Sequence, residues 1–196
     1  LEPPAPVEAA PQKLAGDSTL FALTGADAAG RKASFELLLL SRAITWVRGS
    51  TSEIARDGEE LSEEQVVVEV IGTDVKGRLV TSQEIIAAGA ASAEGDVDTE
   101  TERAGERAVT TAKWVRQAAP DKPVSTLNLG QYQARCASDG GAADTGWQRP
   151  LLIIGVITKD DGVRLDEALR DAMSGRTNVP SPSCYSLFEL ARANRL

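Results

Sequence analysis

The chain has 196 residues, a formal net charge of -8 from 29 acidic and 21 basic side chains, and no histidine. That charge balance repels phosphate backbones and anionic lipid, so no nucleic-acid partner is expected. The missing imidazole removes the usual neutral-pH base, the Ser-His and Cys-His nucleophile pairs and every His-containing metal site. Neither a catalytic activity nor a cofactor nor a metal is therefore expected, while a hydrophobic content of 42% is enough for one domain with a core.

Residues 1–16 carry four prolines, Pro3, Pro4, Pro6 and Pro11, and read as an extended Pro/Ala-rich linker left behind a signal or membrane anchor, the plain alternative being a frayed terminus. No stretch approaches the roughly 20 apolar residues that span a bilayer. Membrane association is thus expected only through an anchor N-terminal to the chain. Residues 18–24 alternate and read as a strand. After a loop over 25–30, Leu37, Leu40, Ile44 and Val47 recur at helical spacing, which predicts a helix over 32–47 closed by Gly49 and Ser50. The loop does not make a phosphate site, because Arg31 interrupts the Gly-Lys succession and Ala33 stands where a hydroxyl is needed. A serine hydrolase is excluded by the absence of Gly-x-Ser-x-Gly and of any histidine.

Residues 50–64 are charged and loop-like. The β-branched run 66–71 predicts a buried strand, ended by the turn Gly72-Thr73-Asp74-Val75-Lys76-Gly77. Residues 78–98 are rich in alanine, glycine and polar groups and read as a mobile insert holding at most a short helix capped by Thr81 and Glu84. A long helix is predicted from about 100 to 118, with Thr99 as N-cap and Glu102 as its reciprocal partner. Strands follow over 124–132 and 151–157, with a loop at 138–141 between them, then a helix over 165–173, a breaker at 180–182 and a helix over 186–193. Trp114 and Trp147 read first as partly buried core and second as interaction anchors. Cys136 and Cys184 are too few for a zinc motif and read as a disulfide or as two inert thiols; the extracytoplasmic look of the N-terminal linker favours the bond.

Thr73-Asp74-Val75-Lys76-Gly77 after a strand, Arg107-Ala108-Val109 on the next helix, and Leu20-Phe21-Ala22-Leu23 near the start together resemble the OmpA-like peptidoglycan-binding family. In that family a strand ends in Thr-Asp-x-x-Gly and the next helix carries Arg-Ala-x-x-Val. The long segment between Asp74 and Arg107 departs from the pattern. So do Glu100 and Arg103-Ala104, which stand where the family favours Asn and Leu-Ser, and the closing motif is echoed only as Gln148-Arg149-Pro150-Leu151. The resemblance implies an α/β fold: a single-layer mixed β-sheet in βαβαββ order with helices packed on one face. This domain would span 17–158, with the insert at about 78–98 and a C-terminal helical appendage at 159–196. It also implies a noncatalytic periplasmic or cell-envelope module. Asp74, with Thr73 and Gly77 shaping its turn, would meet the ammonium of diaminopimelate in the peptidoglycan stem peptide, and Arg107 its carboxylate. The alternative is an OmpA-like scaffold that has lost peptidoglycan and binds another envelope protein.

Physical reasoning on the residues alone supports part of this. An acid at the carboxyl end of a strand lies where open α/β sheets bind ligands, and a cation near a helix N-terminus opposes the macrodipole and calls for an anionic partner. The plainer account is that Asp74 closes a turn and Arg107 pairs with Glu100, Glu102 or Glu106 on the surface.

Overall fold

The computed structural model describes residues 10–137, 146–176 and 178–192. The chain enters on β1 (Gln12–Lys13) and the hairpin of β2 (Thr19–Ala26) and β3 (Lys32–Leu39), then folds a small flap from β4 (Ile44–Trp46), β5 (Ile54–Arg56) and β6 (Glu59–Glu60). A helical segment follows, made of α1 (Glu63–Gln65), a π-helical turn (Val66–Ile71) and α2 (Gly72–Thr81). Strand β7 (Glu84–Ala91) passes through α3 (Val97–Ala118) into β8 (Val124–Gln131), and β9 (Leu152–Lys159), α4 (Leu165–Met173) and β10 (Glu189–Arg192) complete the described chain. The main sheet runs β1-β2-β3-β9-β7-β8-β10. Strands β7 and β8 pair in parallel, as the long α3 crossover requires, and the remaining neighbours are antiparallel.

The fold is α/β with a mixed sheet, as expected, but helices cover both faces. Ile85 and Ala87 of β7 join Val75 and Leu79 of α2 and Ala112 and Val115 of α3 in one core cluster. Ile86 and Ala88, pointing the other way, join Ala168, Leu169, Ala172 and Met173 of α4 in a second. The segment expected as an appendage is therefore integral: α4 lies on the sheet and β10 extends it beside β8. Close approach is made possible by glycine. A Cβ at Gly89 would collide with the Ala104 carbonyl and the Ala108 amide of α3, and one at Gly25 with the Ala168 carbonyl of α4.

Several local expectations are overturned. The helix expected over 32–47 is β3 and β4, because Ala33, Phe35 and Leu37 face one core cluster and Leu38 and Leu40 the other. Lys32, Ser34 and Glu36 alternate with Ala33, Phe35 and Leu37 at period 2, while the leucines from 37 onward, buried on both faces, fell by chance at helical spacing. The strand expected over 66–71 is helical. Val66, Val70 and Ile71 are buried while Val68 is 64% exposed, a one-sided pattern that packing imposes over β-propensity. Its start signal is the capping box in which Ser62 Oγ accepts from Gln65 N and Gln65 Oε1 accepts from Ser62 N. The expected turn 72–77 accordingly lies within α2. The expected insert contains the sheet's inner strand β7, with Ile85 and Ile86 fully buried, so a deletion of 87–95 removes core rather than a mobile loop. The helix expected over 186–193 is β10. By contrast α3, β8, β9 and α4 lie where the sequence puts them, although the N-cap of α3 is Asp96, whose Oδ1 accepts from Thr99 N at 3.0 Å. The loop expected at 138–141 lies outside the described residues.

Two polar devices fasten the ends. Cys136 and Cys184 form a disulfide, with Cα atoms 5.8 Å apart, which joins the segment after β8 to the segment before β10. At the β2–β3 turn the buried Asp27 carboxylate accepts from Ala29 N, Arg31 N, Arg31 Nε and, across the chain, Arg164 N at the start of α4. Burial alone would raise its pKa; the hydrogen bonds from Arg164, Arg31 and Ala29 outweigh burial and hold it at about 2.

Two expectations follow from these devices. Mass measurement without reductant should find no alkylatable thiol at Cys136 or Cys184, and reduction should lower stability by about 2–4 kcal/mol in denaturant titrations. Asp27 is depressed below its unfolded value of about 3.9, so its stabilisation is complete above that pH and is lost as pH falls through the folded pKa. Asp27→Asn should lower the thermal midpoint at pH 7, and the gap from the parent should close as pH drops from about 4 toward 2.

Candidate functional site

Helix α3 is set by the Asp96 cap at one end and by the Gly89 contact along its length, and this packing turns Arg107 inward. The Arg107 side chain is 2% exposed. Its Nε donates to Ser50 O at 2.9 Å and its Nη1 to Ala90 O at 3.0 Å, and the guanidinium carbon lies 5.4 Å from the centre of the Trp46 ring, which is itself stacked on Trp114. A guanidinium has five N–H donors. These two carbonyls and an indole face are its partners, and no carboxylate among the described residues forms an ion pair with it.

Arg107 borders a cavity of 230 Å³ at the carboxyl end of β7. Ser92 and Glu94, from the loop after β7, form one wall, Glu100 and Arg103 of α3 a second, and Arg48 of the flap and Arg149, just before β9, the remainder. The loop is held from both sides: Gln148 Oε1 accepts from Ala93 N, and Gln131 Nε2 donates to the carbonyls of Glu94 and Gly95. Both lining carboxylates are engaged by arginine. Glu94 meets Arg48 at 2.9 Å, and Glu100 meets Arg103. Four arginines and two glutamates line the cavity. Burial, with the charges of Arg149 and Arg103 acting in the same direction and Glu100 against them, lowers the Arg107 pKa to about 10. It remains a cation at neutral pH. Polar and lined largely by arginine, the cavity suits an anion presented by two acceptor oxygens.

Of the residues singled out for ligand binding, the structure brings only Arg107 to this cavity. Thr73, Asp74 and Gly77 are exposed on α2, and Asp74 Oδ2 accepts from Ala15 N at 3.1 Å. The strand that leads into the Arg107 helix is β7, so the position just after that strand belongs to Ser92, which the sequence reading passed over along with Arg48 and Glu94, while Arg103 was noted only as a departure from the family pattern. The missed signal was the pair of isoleucines at 85 and 86 followed by the Asp96-x-x-Thr99 cap, which mark a strand and a helix start. Arg149 was visible only as part of the echoed closing motif. Trp114 is core, 4% exposed, whereas Trp147 is 40% exposed and meets Tyr132 edge-on at 5.0 Å. Among the described residues no cluster of His, Cys, Asp and Glu could hold a metal, and no helix is long and apolar enough to cross a membrane.

No protein-family model matches the chain, and no curated protein does. Among solved structures, the chain is similar to the periplasmic domain of MotB at 16% identity, covering 80% of this chain and 78% of that one, with a TM-score of 0.49.

Proposed function

We propose that the chain is a noncatalytic module of the cell envelope that binds peptidoglycan by taking a carboxylate of stem-peptide diaminopimelate into the Arg107 cavity. The observation that carries this reading is a protonated guanidinium, 2% exposed, that has carbonyls and an indole for partners among the described residues and borders an arginine-lined cavity. A buried cation that forms no ion pair among the described residues is costly to hold, and a ligand carboxylate received in a fork offsets that cost while giving directional recognition. The cavity lies at the carboxyl end of the parallel pair β7–β8, where such sheets bind ligands. A volume of 230 Å³ accommodates a polar end group and leaves the rest of a large polymer outside. The chain has no histidine, which favours recognition over turnover. The Cys136–Cys184 bond favours an oxidising compartment such as the periplasm.

In this reading Asp74 has no direct part, since its carboxylate is engaged by Ala15 N. The second reading, a scaffold that has lost peptidoglycan and binds another envelope protein, is favoured by a different observation. Ser92 occupies the position after β7, where the resemblance implies an acid.

Co-sedimentation with purified sacculi separates the two. The parent should pellet, Arg107→Lys, which keeps charge but loses the planar fork, should bind about tenfold or more weakly, and Asp74→Ala should behave as the parent. Near-UV circular dichroism of Arg107→Lys serves as the folding control. A folded parent that stays in the supernatant would overturn the peptidoglycan reading.

A further inference from the structure

We infer that Tyr185, which does not itself line the Arg107 cavity, is a positioning residue for it: through Gln148, its buried hydroxyl sets two of the cavity's walls. The inference rests on the peptidoglycan reading and adds to it a residue that controls how well the site is formed. The peptide unit joining Gln148 to Arg149 is gripped on both sides. Its carbonyl accepts from Tyr185 Oη at 2.9 Å, and its N–H donates to Gly146 O at 3.1 Å. Arg149 lines the cavity, so this grip fixes the point from which its side chain starts. The Gln148 side chain is buried, and its Oε1 accepts from Ala93 N at 2.9 Å. Ala93 stands between Ser92 and Glu94, both of which line the cavity. One hydroxyl therefore bears on the wall ahead of β9 directly, and on the wall after β7 through a single side chain.

Tyr185 is firmly placed in its turn. Cys184, on one side, is bonded to Cys136, and its carbonyl accepts from Gln133 N at 2.7 Å. Ser186, on the other, donates its N–H to Gln131 O and accepts from Gln131 N through Oγ, and the Tyr185 ring meets Tyr132 edge-on at 5.4 Å. Burial, with Tyr132 acting in the same direction, raises the hydroxyl's pKa well above the ordinary tyrosine range, so it remains a donor at neutral pH. Gln131 extends the arrangement, since its Nε2 donates to the carbonyls of Glu94 and Gly95. The segment Cys184–Ser186 thus holds both glutamines that hold the 92–95 loop. A site keeps its donors in place when the residues behind them are locked by packing and hydrogen bonds, and loss of the Tyr185 hydroxyl takes from the Gln148 carbonyl the side-chain donor that meets it.

The test is Tyr185→Phe in the intact, oxidised chain, read by co-sedimentation with purified sacculi and by amide hydrogen exchange. Binding to sacculi should weaken by about threefold or more. Exchange at the Ala93 amide should rise by about tenfold relative to exchange at Ile153, which lies in β9 between β3 and β7 and reports global unfolding. A purely structural role for Tyr185 would instead raise both exchange rates alike. Gln148→Met, which keeps the side-chain length and loses the acceptor, should reproduce both changes, and it carries the same decision if Tyr185→Phe does not fold. Binding by either folded variant within about threefold of the parent, or no gain at Ala93 over Ile153, would overturn this inference and leave the peptidoglycan reading standing. A folded parent that fails to pellet with sacculi would overturn both.

Discussion

A charged guanidinium in a protein interior must be surrounded by acceptors or by negative charge, and the way this chain meets that demand ties three separate parts together. Arg107 comes from α3, its acceptors come from the flap at Ser50 and from β7 at Ala90, and Trp46 of β4 covers its face. Displacing the flap would strip the cation of one carbonyl and of the indole together. The small three-stranded sheet is thereby locked to the main one through a polar centre, and the cavity inherits that rigidity. A binding site set on fixed elements holds its donors ready and loses less conformational freedom when a ligand arrives.

That geometry depends in turn on the smallest residues in the chain. Helix α3 touches β7 backbone to backbone at Gly89, with Ala104 and Ala108 fully buried against it, and α4 does the same over Gly25. An aromatic content of only 4% is the compositional trace of this packing, in which close helix–sheet contact replaces bulky side chains. A larger residue at Gly89 would lift α3 and carry Arg107 away from Ala90.

What could be read from the sequence followed from how each segment is buried. Helix α3, with polar and apolar faces and a cap, was legible, as were β8 and α4, and β9 was legible as a short apolar run between Pro150 and Gly162. Residues 32–39 were misread although Lys32, Ser34 and Glu36 alternate with the buried Ala33, Phe35 and Leu37, because the leucines from 37 onward, buried on both faces, also fit helical spacing. The run at 66–71 misled in the opposite sense: β-branched side chains were read as a strand, yet Val68 points to solvent while Val70 and Ile71 are buried, a distinction only tertiary contacts make. The error propagated to the site. With the strand placed at 66–71, the acid after it was Asp74; with the strand at β7, the corresponding residue is Ser92. Arg107 survived because its helix was correctly placed, and the arginines around it could not be foreseen because they converge from the flap, α3 and the approach to β9.

The position of β9 has a kinetic consequence. This strand is made late in the chain, yet in the sheet it sits between β3 and β7, so the N-terminal hairpin and the β7–α3–β8 unit have no strand pairing with each other until it arrives. During synthesis both must wait with an open edge, each exposing the backbone donors and acceptors that β9 will satisfy. Sheet closure therefore awaits contacts between residues far apart in sequence, which slows folding and lengthens the interval in which those edges are open to mispairing. The same order of events delays completion of the Arg107 cavity, whose Arg149 wall lies immediately ahead of β9, until that strand has been made.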